Sequence, residues 1–227
     1  MTAQETLAKI ASEVSTCTNC DLHKTRTLSV PGEGPANAEI MLIGEGPGAN
    51  EDMQGRPFIG AAGKFLVELL AQAGLQRTDV WICNVVKCRP PANRDPMPEE
   101  LAACNLFLER QIERINPKII ITLGRFSMYK FMPGVKITQV HGQMRRINNR
   151  FVIAMFHPAA ALHQAALKPA ILADFAKLPQ LLDTARKELN TNKTQPAMPE
   201  KQAQPETSHD AETSAEQMEP PKQMKLF

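Results

Sequence analysis

Cysteines give this chain its strongest metal-binding pattern. Cys17-Thr-Asn-Cys20 places two thiols close enough to chelate one centre, and Cys88 and Cys104 follow farther along. Four thiolates suit a tetrahedral zinc ion or a [4Fe–4S] cube. Small zinc modules usually pair two CxxC knuckles, whereas fifteen residues separate Cys88 from Cys104, so the spacing favours the cluster. Two ordinary core cysteines beside an accidental CxxC are the structural alternative, and Cys83, inside a predicted strand, is expected to pack as a small hydrophobe.

A glycine-rich loop with acidic residues directly follows the first predicted strand. It reads Gly44-Glu45-Gly46-Pro47-Gly48-Ala49-Asn50-Glu51-Asp52. The GK[ST] ending of a P-loop is missing, and the acids would repel a pyrophosphate. Backbone N–H groups beside carboxylates suit a pocket for a neutral ring, with the carboxylates holding water or a developing cation. A tight loop with solvated acids is the alternative.

Three single residues add chemistry at other positions. Phe58 stands between Pro57 and Ile59 on a loop, where it could stack on a planar ligand or pin the loop to the core. Asn84, near the end of the second predicted strand, carries a donor and an acceptor side by side, and if buried it needs partners for both. His157 ends the last predicted strand, and a neutral histidine there could donate to an oxygen that becomes negative during bond cleavage. Purely structural roles for Asn84 and His157 remain open.

The elements that would position these residues follow from apolar periodicity and turn residues. Strands are predicted at 38–44, 80–86, 118–123 and 151–156, helices at 2–15, 64–73, 98–115, 125–131 and 169–188, and a hairpin within 135–149. The alternation predicts a three-layer α/β/α sandwich with a central, mainly parallel four-stranded sheet. Ligands bind beyond the carboxyl ends of such strands. The loops Glu45–Gly60, Lys87–Pro98 and His157–Leu162 lie there and carry the unusual residues.

Charge and composition change along the chain. The net charge is +2, but five lysines against seven acids from Lys187 onward leave +4 on residues 1–186. The segment after about Leu189 is polar, proline-rich and poor in aliphatic residues, which predicts a disordered C-terminal tail. No apolar run approaches about 18 residues, and the N-terminus lacks the layout of a signal peptide. We therefore expect a cytoplasmic, nucleoid-associated protein without a membrane segment.

Several motifs together resemble the family 4 uracil-DNA glycosylases, the iron–sulfur branch of the uracil-DNA glycosylase superfamily. They are GEGPGANED, GRPFIGAAGK, NVVKCRPP, NRDPMPEE and HPAAAL, combined with the cysteines at 17, 20, 88 and 104. The resemblance spans about residues 5–186. It implies a DNA repair enzyme that flips uracil out of DNA and hydrolyses its N-glycosidic bond, leaving an abasic site.

The resemblance also implies roles for individual residues. Cys17, Cys20, Cys88 and Cys104 would ligate a [4Fe–4S] cluster. Glu45, Gly46 and Pro47 would line the uracil pocket, Phe58 would stack on the flipped base, Asn84 would read its O4/N3 edge and His157 would stabilise charge on O2. Glu45 and Glu51 are the two candidates for positioning water, a choice that the sequence leaves open. Leu162 would be the wedge that enters the DNA minor groove, although the neighbouring Ala161 competes for that register.

The resemblance, the composition of the tail and a second motif at its end together divide the chain into three parts. Residues 1–188 would form the glycosylase domain, 189–222 a disordered polar linker, and 223–227 a sliding-clamp-binding motif. The last segment, QMKLF, resembles the QxxLF pentapeptide with which bacterial repair proteins bind the clamp, so Gln223, Leu226 and Phe227 would make that contact. We expect a monomer acting on single- or double-stranded uracil-containing DNA. A non-catalytic or differently specific nucleic-acid-binding member of the superfamily and a zinc-binding structural protein are the rival readings.

Overall fold

A five-stranded sheet lies at the centre of the computed structural model, which describes residues 1–191. The strands are β1 (Ile40–Gly44), β2 (Val80–Asn84), β3 (Ile119–Leu123), β4 (Gln143–Ile147) and β5 (Arg150–Met155). Their spatial order is β2-β1-β3-β5-β4. The first four strands in that order pair in parallel, and β4 pairs with β5 in antiparallel fashion.

Helices connect and cover the strands. They are α1 (Ala3–Thr16), α2 (Ala49–Gln54), α3 (Ala61–Gln72), α4 (Pro98–Ile115), α5 (Arg125–Phe131), α6 (Ile137–Val140), α7 (Pro158–His163) and α8 (Lys168–Thr191). Local sequence explains where the longer ones begin. The Thr2 hydroxyl accepts a hydrogen bond from the Glu5 N–H to cap α1, and Pro98 occupies the first turn of α4, where its missing N–H costs nothing.

Alternate residues of each parallel strand point to opposite faces of the sheet, and both faces are covered. Met41 and Ile43 pack in one apolar cluster with residues of α1 and α4. Ile40 and Leu42 pack in the other cluster with residues of α3 and α8. Continuous apolar strands are the expected sequence pattern for a sheet buried on both sides. The predicted three-layer α/β/α sandwich is therefore confirmed.

The sheet differs from the prediction in having five strands instead of four. The extra strand, β4, arises from the predicted hairpin, whose turn at Asn148 has a positive φ of 55°. Its pattern of exposed and half-buried residues, with Arg145 and Arg146 open to solvent, belongs to an edge strand. None of the five residues of β4 is buried. Strand β4 therefore lacks the continuous apolar run from which the other four strands were predicted.

The C-terminal boundary also differs slightly from the prediction. Helix α8 continues to Thr191, so residues 189–191, predicted as the start of the linker, are helical. The reason is Leu189, which packs against the apolar cluster under α8. The remainder of the predicted linker and tail, and the predicted clamp-binding segment 223–227, lie outside the described residues. No helix within residues 1–191 combines the length and apolarity needed to span a membrane.

Candidate active site

The residues predicted to form a pocket come together at the carboxyl ends of β1, β2 and β5. Glu45, Gly46, Glu51, Phe58, Asn84 and His157 all line one cavity, which holds about 910 Å³ of space free of protein atoms and opens to solvent. Pro47, predicted with them, is buried beside this cavity but is not part of its lining. The topology explains the convergence, because neighbouring parallel strands end at the same edge of a sheet.

Asn84 presents an unsatisfied hydrogen-bond acceptor to this cavity. Its side chain is 1% exposed, and its Oδ1 atom is buried without a hydrogen-bond partner in the described residues. Leaving a buried acceptor unpaired costs about 1–3 kcal/mol, so such an atom calls for a functional explanation. A ligand that brings an N–H donor into the cavity would satisfy it.

Phe58 is held in the cavity wall by a strained backbone. Its φ of 50° is positive, which is unusual for a bulky residue. Arg77 donates a hydrogen bond of 3.0 Å to the Phe58 carbonyl oxygen and is itself paired with Glu33. The helix position next to this carbonyl is Gly63, where a Cβ atom would overlap the Phe58 carbonyl group.

The Phe58 ring lies between two other features of the site. Its centroid is 5.5 Å from that of the His157 ring, with 27° between the planes. Gly44 makes room for this arrangement, because a Cβ there would lie 2.6 Å from Phe58 Cζ and would also meet Asn84 Oδ1. The aromatic face, the unpaired amide and the imidazole thus share one wall of the cavity.

His157 is held neutral and in one tautomer. Its Nδ1 accepts a hydrogen bond of 3.1 Å from the Ala159 N–H, at the start of α7. A nitrogen that accepts cannot carry the proton, so the proton of the neutral ring lies on Nε2. Burial lowers the pKa of His157 to about 4, against a smaller opposing effect of the Glu51 charge. The imidazole is therefore a neutral Nε2–H donor at physiological pH.

The two candidate carboxylates have different surroundings. Glu51, in α2, binds backbone groups on both sides of that helix: Oε1 accepts from the N–H groups of Ile59 (2.9 Å) and Gly60 (2.8 Å), and Oε2 accepts from that of Gly48 (3.1 Å). The Glu45 carboxylate accepts no hydrogen bond from residues 1–191, and only the backbone carbonyl of Glu45 is paired, with the Val86 N–H at 3.1 Å. Burial raises the pKa of Glu45, and the nearby charge of Asp95 adds to that rise.

Leu162 is placed on the surface beside the site. It is 53% exposed, whereas the adjacent Ala161 is buried. Leu162 lines a separate neighbouring cavity together with Lys64 and Lys168. The structure therefore shows which of the two residues projects outward, which the sequence could not.

Other cavity-lining residues escaped the sequence analysis. They include Asn93, on the loop after β2, together with Ala62 and His163 on α3 and α7. Asn93 has a positive φ of 54° and receives a hydrogen bond of 2.8 Å from Arg89 Nε. Its position in the proline-rich loop 88–97 and its tolerance of left-handed conformations were the available signals.

The four predicted metal-ligating cysteines meet in a second cavity. Cys17, Cys20, Cys88 and Cys104 all line it, although Cys17 and Cys20 follow α1, Cys88 follows β2 and Cys104 lies in α4. The cavity holds about 280 Å³ free of protein atoms. Cys83 lies apart from this lining, fully buried in the core.

Polar hydrogens point at the cysteine sulfurs of this cavity. Arg26 Nη1 lies 3.1 Å from Cys88 Sγ, and the Lys87 N–H lies 3.2 Å from Cys104 Sγ. Burial raises the pKa of Cys104 to about 11, and it also raises those of Cys20 and Cys88. Buried thiols with raised pKa values become thiolates when a cationic metal group compensates their charge, so this donor set fits a metal centre.

Comparisons with known proteins agree with this geometry. The family model described as the uracil DNA glycosylase superfamily matches residues 31–178. The type-4 uracil-DNA glycosylase of Archaeoglobus fulgidus is 46% identical over 78% of this chain and 94% of its own length. The type-4 enzymes of Sulfurisphaera tokodaii and Thermotoga maritima are 45% and 48% identical, over 81% and 78% of this chain and 88% and 95% of their own lengths. The chain therefore belongs to the uracil-DNA glycosylase superfamily.

Proposed function

We propose that this protein is a uracil-DNA glycosylase that removes uracil from DNA as the first step of base excision repair. The observation that carries the proposal is the unpaired Asn84 Oδ1, buried in a cavity that also presents the Phe58 ring and the His157 Nε2–H donor. Uracil offers an N3–H donor to Oδ1 and an O4 acceptor to the amide N–H. Cytosine presents an amino group in place of O4 and no N3–H, so it would leave both unmatched.

The remaining site residues act around the flipped base. Phe58 stacks on its face, and the backbone at Gly46 borders it. His157 donates from Nε2 to O2, the oxygen that becomes negative as the N-glycosidic bond breaks. Because Glu51 is occupied by three backbone N–H groups, Glu45 is the carboxylate left to orient water and support the oxocarbenium-like sugar. Pro47 supports the loop from behind, and Leu162 enters the duplex to fill the place of the flipped base.

A [4Fe–4S] cluster is the metal group that the cysteine cavity fits best. The four cysteines line one common space. Only one pair of them is local in sequence, as CxxC, and the fifteen residues between Cys88 and Cys104 support a cluster over zinc. Cys17, Cys20, Cys88 and Cys104 would hold the cluster, which would supply a covalent cross-link among α1, the loop after β2 and α4. These residues thereby hold the Lys87–Pro98 loop beside the pocket.

The rival functions are less well supported. A non-catalytic or differently specific superfamily member would not need the combination of Asn84, Phe58 and His157 on one wall. The clamp-binding role of Gln223, Leu226 and Phe227 remains a prediction from sequence, as do the monomeric state and the nucleoid location. A pulldown with the sliding clamp tests it: removal of the last five residues should abolish retention, and unchanged retention would contradict the role.

Release of uracil from a defined oligonucleotide tests the main proposal. The wild type should release uracil under single-turnover conditions and leave cytosine in place. Asn84→Leu, which keeps the branched side-chain shape, should lower the rate by at least about a hundredfold because it cannot pair with the base. The same variant should unfold at an equal or higher urea concentration, since it removes an unpaired buried acceptor. A wild type that releases no uracil would refute the proposed function.

A further inference from the structure

Lys87 is a buried cation that the proposed reaction does not use. It is 1% exposed and lies three residues after the end of β2. Its Nζ donates to the Asn84 carbonyl oxygen at 2.9 Å and to Gln111 Oε1 at 2.7 Å. Gln111 in turn donates to the Pro31 carbonyl oxygen at 2.7 Å, so the ammonium group sits in a fixed set of neutral acceptors.

The charge of Lys87 has no anionic partner among residues 1–191. None of the ion pairs in this part of the chain includes Lys87. Burying an ammonium group without a counter-charge costs several kcal/mol. Lys87 lines the cysteine cavity, and so does Arg26, which also lacks a carboxylate partner in the described residues. Two unpaired cations bordering one cavity indicate that its occupant is anionic.

We infer that Lys87 is the buried counter-cation of the proposed [4Fe–4S] cluster and, from the same position, the positioning residue for Asn84. A cube held by four thiolates has a net negative charge, which would balance the ammonium. The hydrogen bond from Nζ to the Asn84 carbonyl ties this charge to the backbone of the residue that reads the base. The inference rests on the proposed function, which supplies both the cluster and the base.

The coupling has a direct structural route. The Lys87 backbone N–H faces Cys104 Sγ, and its side chain reaches back three residues to Asn84. The side chain of Lys87 is therefore bonded to the backbone of the site residue, while the backbone N–H of Lys87 faces a cysteine of the cavity. The negative charge of the cluster would hold the ammonium group in position by electrostatic attraction. The hydrogen bond from the ammonium to the Asn84 carbonyl oxygen would in turn hold the last residue of β2 in position. Asn84 has no side-chain acceptor bond of its own to keep Oδ1 in place, so its orientation depends on this backbone.

Two substitutions separate the charge from the hydrogen bond. Lys87→Met removes both, with little change in length. Gln111→Glu keeps Lys87 and its bond to Asn84 but places a carboxylate against the ammonium. Lys118→Met, at the opposite end of the sheet, and Gln180→Glu, at an exposed position of α8, are the matched controls. The readouts are the reduction potential of the cluster in the intact protein and the single-turnover rate of uracil release.

The expected results differ between the two variants. The cluster potential should become more negative in both Lys87→Met and Gln111→Glu, because each removes net positive charge beside the cluster. The rate of uracil release should fall roughly ten- to hundredfold in Lys87→Met, because Asn84 loses its anchor, and should stay near the wild-type rate in Gln111→Glu. Both controls should match the wild type in potential and rate.

Three outcomes would overturn the inference. They are an unchanged potential in Gln111→Glu, a wild-type rate in Lys87→Met, and an equal loss of rate in both variants. If Lys87→Met does not fold, the potential of Gln111→Glu decides the matter. A wild type without cluster absorbance or uracil release would refute the proposed function instead, so the two failures can be told apart.

Discussion

Glu45 follows β1 directly and Glu51 lies six residues later in α2, and of these two carboxylates only that of Glu45 is without a hydrogen bond within residues 1–191. The carboxylate of Glu51 closes the loop by accepting three backbone hydrogen bonds. Glu45 lines the same cavity, and burial raises its pKa. A carboxylate that orients water needs an unoccupied oxygen, so the hydrogen bonds of Glu51 favour Glu45 for the proposed role, a choice that the sequence left open.

Replacing each carboxylate by its amide should separate activity from stability. Glu45→Gln should lower single-turnover uracil release by about a hundredfold or more, with little change in the free energy of unfolding. Glu51→Gln should lower the unfolding free energy by about 1–3 kcal/mol, because its new NH₂ group would face a backbone N–H. Rates and urea unfolding of both variants check this. Loss of activity without loss of stability in Glu51→Gln would contradict the assignment.

The neutral state of His157 predicts how stability depends on pH. Its pKa is near 4 in the folded protein and about 6.5 when unfolded, so between these values the unfolded chain binds more protons. The contribution of His157 to the free energy of unfolding is therefore fully present above about pH 6.5 and is lost as the pH falls toward 4. Between pH 7 and pH 4.5, the free energy of unfolding of His157→Asn should therefore fall by about 2 kcal/mol less than that of the wild type.

Urea unfolding at the two pH values measures this difference. His163→Asn, at the end of α7, is the matched control. Its free energy of unfolding should fall as much as that of the wild type between the two pH values. An equal decline in His157→Asn and the wild type would mean that His157 is not held neutral by burial.

At the scale of elements, α3 is shaped to leave space for the loop before it. Gly63 lies in the first turn of α3, under the strained Phe58 carbonyl. Alanine usually stabilises a helix relative to glycine by up to about 1 kcal/mol. At Gly63 we expect alanine to destabilise the protein instead, because the added methyl group would displace the Phe58 backbone that holds the aromatic ring in the cavity.

Gly63→Ala should therefore lower the unfolding free energy by about 2 kcal/mol and also slow uracil release. Thermal unfolding and single-turnover assays provide the two measurements. Gly74→Ala serves as the control, since a Cβ there meets no atom within 4 Å and only its positive φ of 70° is strained. A more stable, fully active Gly63→Ala would show that the loop can shift without cost.

At the scale of the whole molecule, the cysteine cavity joins segments that are far apart in sequence. A bound cluster should therefore contribute to global stability. Cys104→Ala should lose iron and the absorbance near 400 nm, and its melting temperature should drop by roughly 10 °C. Cys83→Ala, outside the cavity, should keep its iron. Iron content, the absorption spectrum and thermal unfolding test this, and full iron retention by Cys104→Ala would contradict the ligand assignment.

Much of this architecture could be predicted from sequence, because apolar runs, glycines and prolines report local geometry directly. The four parallel strands and the gathering of Glu45, Phe58, Asn84 and His157 at one edge follow from that information. Other features depend on tertiary contacts that leave no local pattern. The left-handed backbone of Phe58 is held by a hydrogen bond from Arg77, which lies nineteen residues away in sequence. The Glu51 carboxylate is occupied by backbone N–H groups as far as nine residues away.

The antiparallel strand β4 has a consequence for the behaviour of the protein in concentrated solution. An uncovered edge strand can extend its sheet onto a second copy of the chain. Here the edge carries Arg145 and Arg146, both exposed, so two copies meeting edge to edge would bring four positive charges together. Electrostatic repulsion thus opposes aggregation through sheet extension, and because added salt screens such repulsion, the protection weakens as ionic strength rises.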